Sequence, residues 1–145
     1  LLFGLINIQS INNKSMLISD LITDNVLDVM VLTETWHSCS SDVPLRRAAP
    51  VNFSIIDAPR PRHGDDDTGV NHGGIAVLHR DIYSSRIITM PFHLTSFELL
   101  VCFLNSAVGK FILVNVYRPS SHNITDLTSL LEIISTYSSM TVFIR

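Results

Sequence analysis

The order of short apolar runs is the feature that most constrains what this chain can fold into. Eight runs have the length and the β-branched or aromatic content of strands, which suit a pleated, half-buried surface. They lie at residues 2–8, 28–33, 51–57, 74–78, 86–90, 97–104, 111–117 and 141–144. The five in the middle follow one another without a helical stretch, which predicts antiparallel pairing there.

Two stretches with helical spacing interrupt the strands. The first begins at a cap formed by Asn13 or Ser15, and its apolar face carries Leu17, Leu21 and Ile22. The second covers residues 125–137 with Asn123 or Thr125 as the cap, and its apolar face carries Leu127, Leu130, Leu131, Ile134 and Tyr137. The combined order predicts a four-layered α/β sandwich, in which helices flank two packed mixed sheets.

Length and composition favour one folded domain over residues 1–145. The chain is 46% hydrophobic and 16% charged, which is the composition of a folding chain and not of a disordered one. Polar residues interrupt every hydrophobic run before it reaches the roughly 18–20 residues needed to cross a bilayer, so no membrane association is expected. The sequence does not indicate an oligomeric state.

Charge and cysteine content exclude several classes of function. A net charge of −3 provides no overall attraction for phosphate backbones, so any contact with nucleic acid must be local. The two cysteines, Cys39 and Cys102, are too few for a disulfide framework or a zinc site. We therefore expect an intracellular, reducing environment.

A polar side chain stands at the end of three apolar runs: Asn7, Glu34 and Tyr117. Active sites of open sheets collect where strands end together, because strands aim side chains more rigidly than loops do. Glu34 follows a buried strand directly, and a carboxylate oxygen in that position is a suitable ligand for Mg²⁺. We expect the three residues to converge on a common point.

Each of these residues also has an ordinary structural interpretation. Asn7 suits a turn at a strand end, Glu34 an exposed loop or helix charge, and Tyr117 an aromatic at the edge of the core whose hydroxyl is hydrated. Taken singly, none of them specifies a function. Their flanking residues carry the further argument.

Four short segments resemble the endonuclease/exonuclease/phosphatase superfamily in their order and spacing. The segments are Asn7-Ile8-Gln9-Ser10, Leu32-Thr33-Glu34-Thr35-Trp36, Gly73-Gly74-Ile75-Ala76-Val77 and Val114-Asn115-Val116-Tyr117-Arg118-Pro119. The Thr-Glu-Thr-Trp and Tyr-Arg-Pro segments are most similar to the endonuclease domains of non-long-terminal-repeat retrotransposons. The resemblance extends over the whole chain.

The resemblance implies a role for each matched residue. Glu34 would bind Mg²⁺, with Mn²⁺ as an alternative, and Asn7 would share in the metal site. Tyr117 would contact the scissile phosphate, and Arg118 and Gln9 would contact DNA. The implied reaction is metal-dependent hydrolysis of a DNA phosphodiester bond, in the nucleus when the domain is part of a full element.

The resemblance also implies that part of the active site is missing. The family's Gly-Asp-x-Asn motif and its later Asp-His pair would follow Arg145, so we expect an N-terminal fragment that is inactive by itself. Two alternatives stay open. The chain could be a noncatalytic remnant of the fold, or it could belong to the phosphatases of the same superfamily, which use similar strand-end residues.

Overall fold

The computed structural model describes residues 1–38, 42–60, 72–90, 96–107, 109–118 and 127–137. The chain forms two compact units, Leu1–Asp81 and Ile82–Arg145. Each unit has its own sheet. The prediction that the whole chain forms a single domain stays a prediction.

The first unit contains a four-stranded mixed sheet. Its strands are β1 (Phe3–Asn7), β2 (Val29–Thr33), β3 (Phe53–Ala58) and β4 (Ile75–Arg80), in the order β1-β2-β4-β3. Strands β1 and β2 are parallel and pair Asn7 with Thr33, whereas β4 is antiparallel to both β2 and β3. Because a parallel pair needs a long crossover, a helix connects β1 to β2. The carboxyl ends of β1 and β2 therefore meet at one edge of the sheet.

Helix α1 (Ser15–Asp24) forms this crossover, and its details correct the sequence prediction. Lys14 occupies the N-cap position without a side-chain capping bond, and neither Asn13 nor Ser15 is the cap. Ile18 and Ile22 are buried, whereas Leu17, which we expected on the apolar face, is 53% exposed. The helical period is right, but the buried face is rotated by one residue.

A second short helix, α2 (Val43–Ala48), lies between two predicted strands, where the sequence predicted no helix. Its N-cap is Asp42, whose carboxylate accepts the backbone N–H of Leu45 at 3.2 Å. Pro44 stands in the first turn, where the missing N–H of proline has no cost. Leu45 and Ala48 are fully buried.

The core of the first unit lies between the two helices and one face of the sheet. Alternate residues of the central strands point to this face, as the two-residue period of a strand requires. The buried cluster consists of Ile8, Ile11, Ile18, Ile22, Met30, Leu32, Leu45, Ala48, Ala76 and Leu78. All five residues of β2 are buried, so this strand is a rigid support for the residue that follows it.

The second unit contains an antiparallel sheet with strands β5 (Ser84–Ile87), β6 (Glu98–Ser106) and β7 (Gly109–Tyr117), in that order. Helix α3 (Leu127–Thr136) packs on it through Leu130 and Ile133. Leu127 and Leu131, which the sequence placed on the apolar face, are 45% and 55% exposed.

The architecture confirms the predicted fold class, since two sheets and helices form a mixed α/β structure. One detail differs: in the described residues the second sheet is purely antiparallel, whereas the sequence predicted two mixed sheets. The predicted strand at residues 141–144 and the predicted caps Asn123 and Thr125 lie outside the described residues. In the described parts of the chain, no helix is long and apolar enough to cross a membrane.

Candidate active site

Asn7 and Glu34 contact each other at the carboxyl edge of the first sheet. Asn7 is the last residue of β1 and pairs in register with Thr33, the last residue of β2. Glu34 comes next, and its Oε1 accepts a hydrogen bond from Asn7 Nδ2 at 2.9 Å. The parallel pairing of two buried strands thus brings together side chains that are 27 residues apart.

The other polar atom of the Asn7 amide is buried and has no hydrogen-bond partner among the described residues. Because Nδ2 donates to the carboxylate, this atom is the amide oxygen Oδ1, an acceptor. A buried acceptor without a partner costs free energy comparable to a lost hydrogen bond. An amide oxygen next to a carboxylate is therefore prepared for a cation or a donor that the described residues do not supply.

Glu34 has a left-handed backbone conformation, with φ of 54°. A non-glycine residue in this region costs on the order of 1–3 kcal/mol and persists only where the surrounding structure enforces it. The carbonyl of Glu34 accepts from the N–H of Ser10 at 2.8 Å, and the N–H of Thr35 donates to the carbonyl of Gly74 at 3.0 Å. The turn after β2 is thus held from both sides.

The segment after β1 is equally constrained. Gln9 and Ser10 are both left-handed, with φ of 47° and 84°. The ammonium of Lys14 donates to the carbonyls of Ile8 and Gln9, the second at 3.2 Å. Lys14 therefore closes the turn that connects β1 to α1 and keeps the strand end in place.

A buried hydrogen-bonded array lies next to this turn. Thr35 Oγ1 is 2.5 Å from His37 Nδ1, and His37 Nε2 is 3.0 Å from Asp57 Oδ2. Thr35 and His37 are fully buried, and the side chain of Asp57 is 8% exposed. A carboxylate only accepts, so Nε2 donates to Asp57, and in the neutral imidazole Nδ1 then accepts from the Thr35 hydroxyl.

Gly74 provides the space for this array. A Cβ at this position would lie 2.8 Å from Thr35 Oγ1 and 2.9 Å from His37 Nδ1, and the φ of Gly74 is 91°. Glycine alone adopts this conformation without strain and leaves the two side chains room. Gly74 therefore serves close packing at the start of β4.

The residues present fit a hard divalent cation in part. Mg²⁺ commonly takes one or two protein carboxylates and completes its shell with water and substrate phosphate. Glu34 provides a carboxylate, and Asn7 provides the unpartnered amide oxygen. Within the described ranges, no group of three or more His, Cys, Asp or Glu side chains could hold a metal by itself.

The other predicted site residues are Gln9, Tyr117 and Arg118. Gln9 is exposed in the turn after β1. Tyr117 is the last residue of β7, opposite Glu98 on β6, and is partly exposed. Arg118 follows it and is exposed. The convergence of Tyr117 with Asn7 and Glu34 stays a prediction.

Sequence reasoning missed His37 and Asp57. No motif in the sequence assigns a role to His37, and Asp57 only ends a predicted strand. No local signal connects them, because they are 20 residues apart and meet only when β3 joins the sheet beside β4. The sequence contains one indication of this kind, because His37 lies three residues after Glu34, the candidate metal ligand.

No protein-family model matches the sequence, and no curated protein matches it. Solved structures do. The human Nocturnin catalytic domain with bound sulfate aligns with a TM-score of 0.66 at 17% identity, over 98% of this chain and 61% of that chain. A humanized TDP2 from D. rerio aligns with a TM-score of 0.63 at 15% identity, over 98% of this chain and 63% of that chain.

The endonuclease domain of TRAS1, a telomere-specific non-LTR retrotransposon, aligns with a TM-score of 0.58 at 12% identity, over 98% of this chain and 57% of that chain. This chain has the α/β fold of these proteins. It spans about three fifths of the length of each. The fold implied by the resemblance is confirmed, whereas the retrotransposon branch stays a prediction.

Proposed function

We propose that this chain is part of a divalent-metal-dependent endonuclease that hydrolyses phosphodiester bonds in DNA. The observation that carries the proposal is the Asn7–Glu34 pair at the ends of two parallel strands. It contains a carboxylate and a buried amide oxygen that has no hydrogen-bond partner in the part of the chain that the structure describes. The fold shared with an endonuclease domain and with a TDP2 complexed with a single-strand DNA product supports the substrate class.

In this proposal, Glu34 and Asn7 hold the cation, which is Mg²⁺ or alternatively Mn²⁺. When bound, the cation supplies Lewis-acid stabilisation of the negative charge that develops on the phosphoryl oxygens. Asn7 has a second task, because its Nδ2 donates to Oε1 of Glu34 and so fixes the orientation of the carboxylate. Tyr117 contacts the scissile phosphate through its hydroxyl.

DNA contact is local in this proposal, because the net charge of −3 gives the chain no overall attraction for phosphates. Exposed Gln9 and Arg118 are the proposed contacts. Arg118 would bind the backbone through its guanidinium, which suits the geometry of a phosphate. An endonuclease of the retrotransposon type would act in the nucleus.

Cation binding to the 145-residue chain is the direct test. Isothermal titration with Mg²⁺ and Mn²⁺ compares the wild type with Glu34→Gln, which removes one charge and keeps the shape. The matched control is Glu132→Gln, the same change at an exposed residue of α3. We expect Glu34→Gln to weaken binding by more than about tenfold and Glu132→Gln to leave it unchanged.

Nicking of supercoiled plasmid tests the reaction itself. We propose that the 145-residue chain does not nick DNA alone, and that the longest natural form of the protein does so with Mg²⁺. Glu34→Gln should abolish nicking in that form. Cation binding that is indifferent to Glu34 would contradict the proposal and favour a noncatalytic remnant. Hydrolysis of inositol phosphates in place of DNA would favour the phosphatase alternative.

A further inference from the structure

We propose that His37 and Asp57 are positioning residues for the cation site. Acting through Thr35, they hold Glu34 in its left-handed conformation and so set the affinity of the Asn7–Glu34 pair for a divalent cation. The inference rests on the proposed function. It assigns a role to the buried hydrogen-bonded array of Thr35, His37 and Asp57, which the proposed function alone does not explain.

The path of the array is the first argument. It begins at Thr35, directly after Glu34, continues through His37 and ends at Asp57 on β3. Strand β3 is separated from β2 by β4 in the sheet order. The array therefore ties the turn that carries Glu34 to a strand two positions away, and its atoms lie against Gly74 at the start of β4.

Strain is the second argument. Glu34 and Trp36 are both left-handed, with φ of 54° and 57°, and Thr35 lies between them. Two such residues within three positions cost on the order of 2–6 kcal/mol, which the surroundings must offset. The side chain of Thr35 is bonded within the array, so this residue cannot rotate to relax either neighbour without breaking a buried hydrogen bond.

Burial is the third argument. A Thr-His-Asp series resembles the order of groups that activates a hydroxyl nucleophile. Here Thr35 is 0% exposed, so no substrate can reach its hydroxyl. Breaking one hydrogen bond of the array leaves a buried polar group without a partner, which costs free energy. The array is therefore held in one arrangement. A rigid array next to a cation ligand orients the ligand, in the way that outer groups orient the ligands of metal sites.

Terbium luminescence provides a sensitive test on the 145-residue chain. Trp36 is the single tryptophan and lies two residues after Glu34, so excitation of Trp36 sensitises Tb³⁺ bound at this site. We expect a saturable signal that Mg²⁺ displaces and that Glu34→Gln removes. Asp57→Ala, which cuts the array at its end, should weaken Tb³⁺ binding by roughly 10- to 100-fold.

Conservative variants separate positioning from general destabilisation. Asp57→Asn retains an oxygen that accepts from His37 Nε2, so it should recover most of the affinity lost in Asp57→Ala. Thr35→Ser retains the hydroxyl and should bind like the wild type within about threefold, whereas the isosteric Thr35→Val should weaken binding as Asp57→Ala does. If Asp57→Ala fails to fold, the comparison of Thr35→Val with Thr35→Ser decides whether the array sets the affinity of the cation site.

Backbone chemical shifts of Glu34 distinguish failure of this inference from failure of the proposed function. If the wild-type chain binds no Tb³⁺ that Mg²⁺ can displace, the proposed cation site is contradicted. The Cα and Cβ shifts of Glu34 then still report its left-handed conformation, which should be lost in Thr35→Val and kept in Thr35→Ser. Wild-type shifts and wild-type Tb³⁺ affinity in folded Asp57→Ala and Thr35→Val would overturn the positioning role.

Discussion

Replacement of Gly74 by alanine tests the close packing around the candidate site. The added Cβ would lie 2.8 Å from Thr35 Oγ1, 2.9 Å from His37 Nδ1 and 3.0 Å from His37 Cε1. The first two distances are shorter than real Cβ contacts, the third is at the tight end of their range, and both neighbouring side chains are fully buried. The array must therefore move, or the start of β4 must shift.

The expected loss of stability has two parts. An alanine at φ of 91° costs about 1–2 kcal/mol, because its Cβ is crowded in the left-handed region. Displacing the array strands at least one buried polar group, which costs about 1–3 kcal/mol more. We expect a decrease of roughly 3 kcal/mol in the free energy of unfolding, which is a large part of the stability of a small protein.

Urea denaturation followed by far-ultraviolet circular dichroism and by Trp36 fluorescence measures this decrease. Gly109→Ala is the matched control, because among the described residues its Cβ would meet only Phe111 Cζ, at 3.9 Å. The control should remain within about 0.5 kcal/mol of the wild type. If Gly74→Ala is as stable as Gly109→Ala, the packing of the array over Gly74 is not a constraint and the argument fails.

Two further changes test the core of each unit. Leu32→Ala leaves a cavity at a fully buried position on β2 and should lower the free energy of unfolding, measured by urea denaturation, by about 2–5 kcal/mol. Leu5→Ala, at a residue that is 41% exposed, should lower it by less than about 1 kcal/mol. Equal losses would contradict the assigned core. Burial raises the pKa of the Cys102 thiol from 9.0 to about 12. The unfolded chain therefore ionises this thiol first, so its contribution to stability is complete below pH 9.0 and falls by about 1.4 kcal/mol per pH unit up to about pH 12. Unfolding measured against pH should lose this slope in Cys102→Ala, and an unchanged slope would refute the assignment.

The sequence by itself determined the succession of the strands and of the two longer helices along the chain, and the position of the two central residues of the candidate site. Apolar runs bounded by polar residues mark β1 and β2, and the helical stretch between them is long enough for a parallel crossover. Asn7 and Glu34 stand where those runs end, so the sequence could place them at one edge of a sheet. These signals lie in short stretches of sequence, and the buried strands of the structure follow them.

Other features of the helices depend on packing that local patterns do not specify. Leu17 and Ile18 are both apolar, and only contact with the sheet decides that Ile18 is buried. Helix α2 had local signals in Asp42 and Pro44, but a helix of six residues is too short to show a clear period. Its existence depends on the burial of Leu45 more than on helical propensity.

Only the tertiary structure decided that Thr35, His37 and Asp57 form one array. Asp57 reaches His37 because β3 joins the far side of β4, and Gly74 leaves space between them. Neither condition can be read from residues close in sequence, since strand order depends on contacts between distant segments. Local hydrophobic patterns determine where strands begin and end, whereas pairing across the sheet determines which side chains meet.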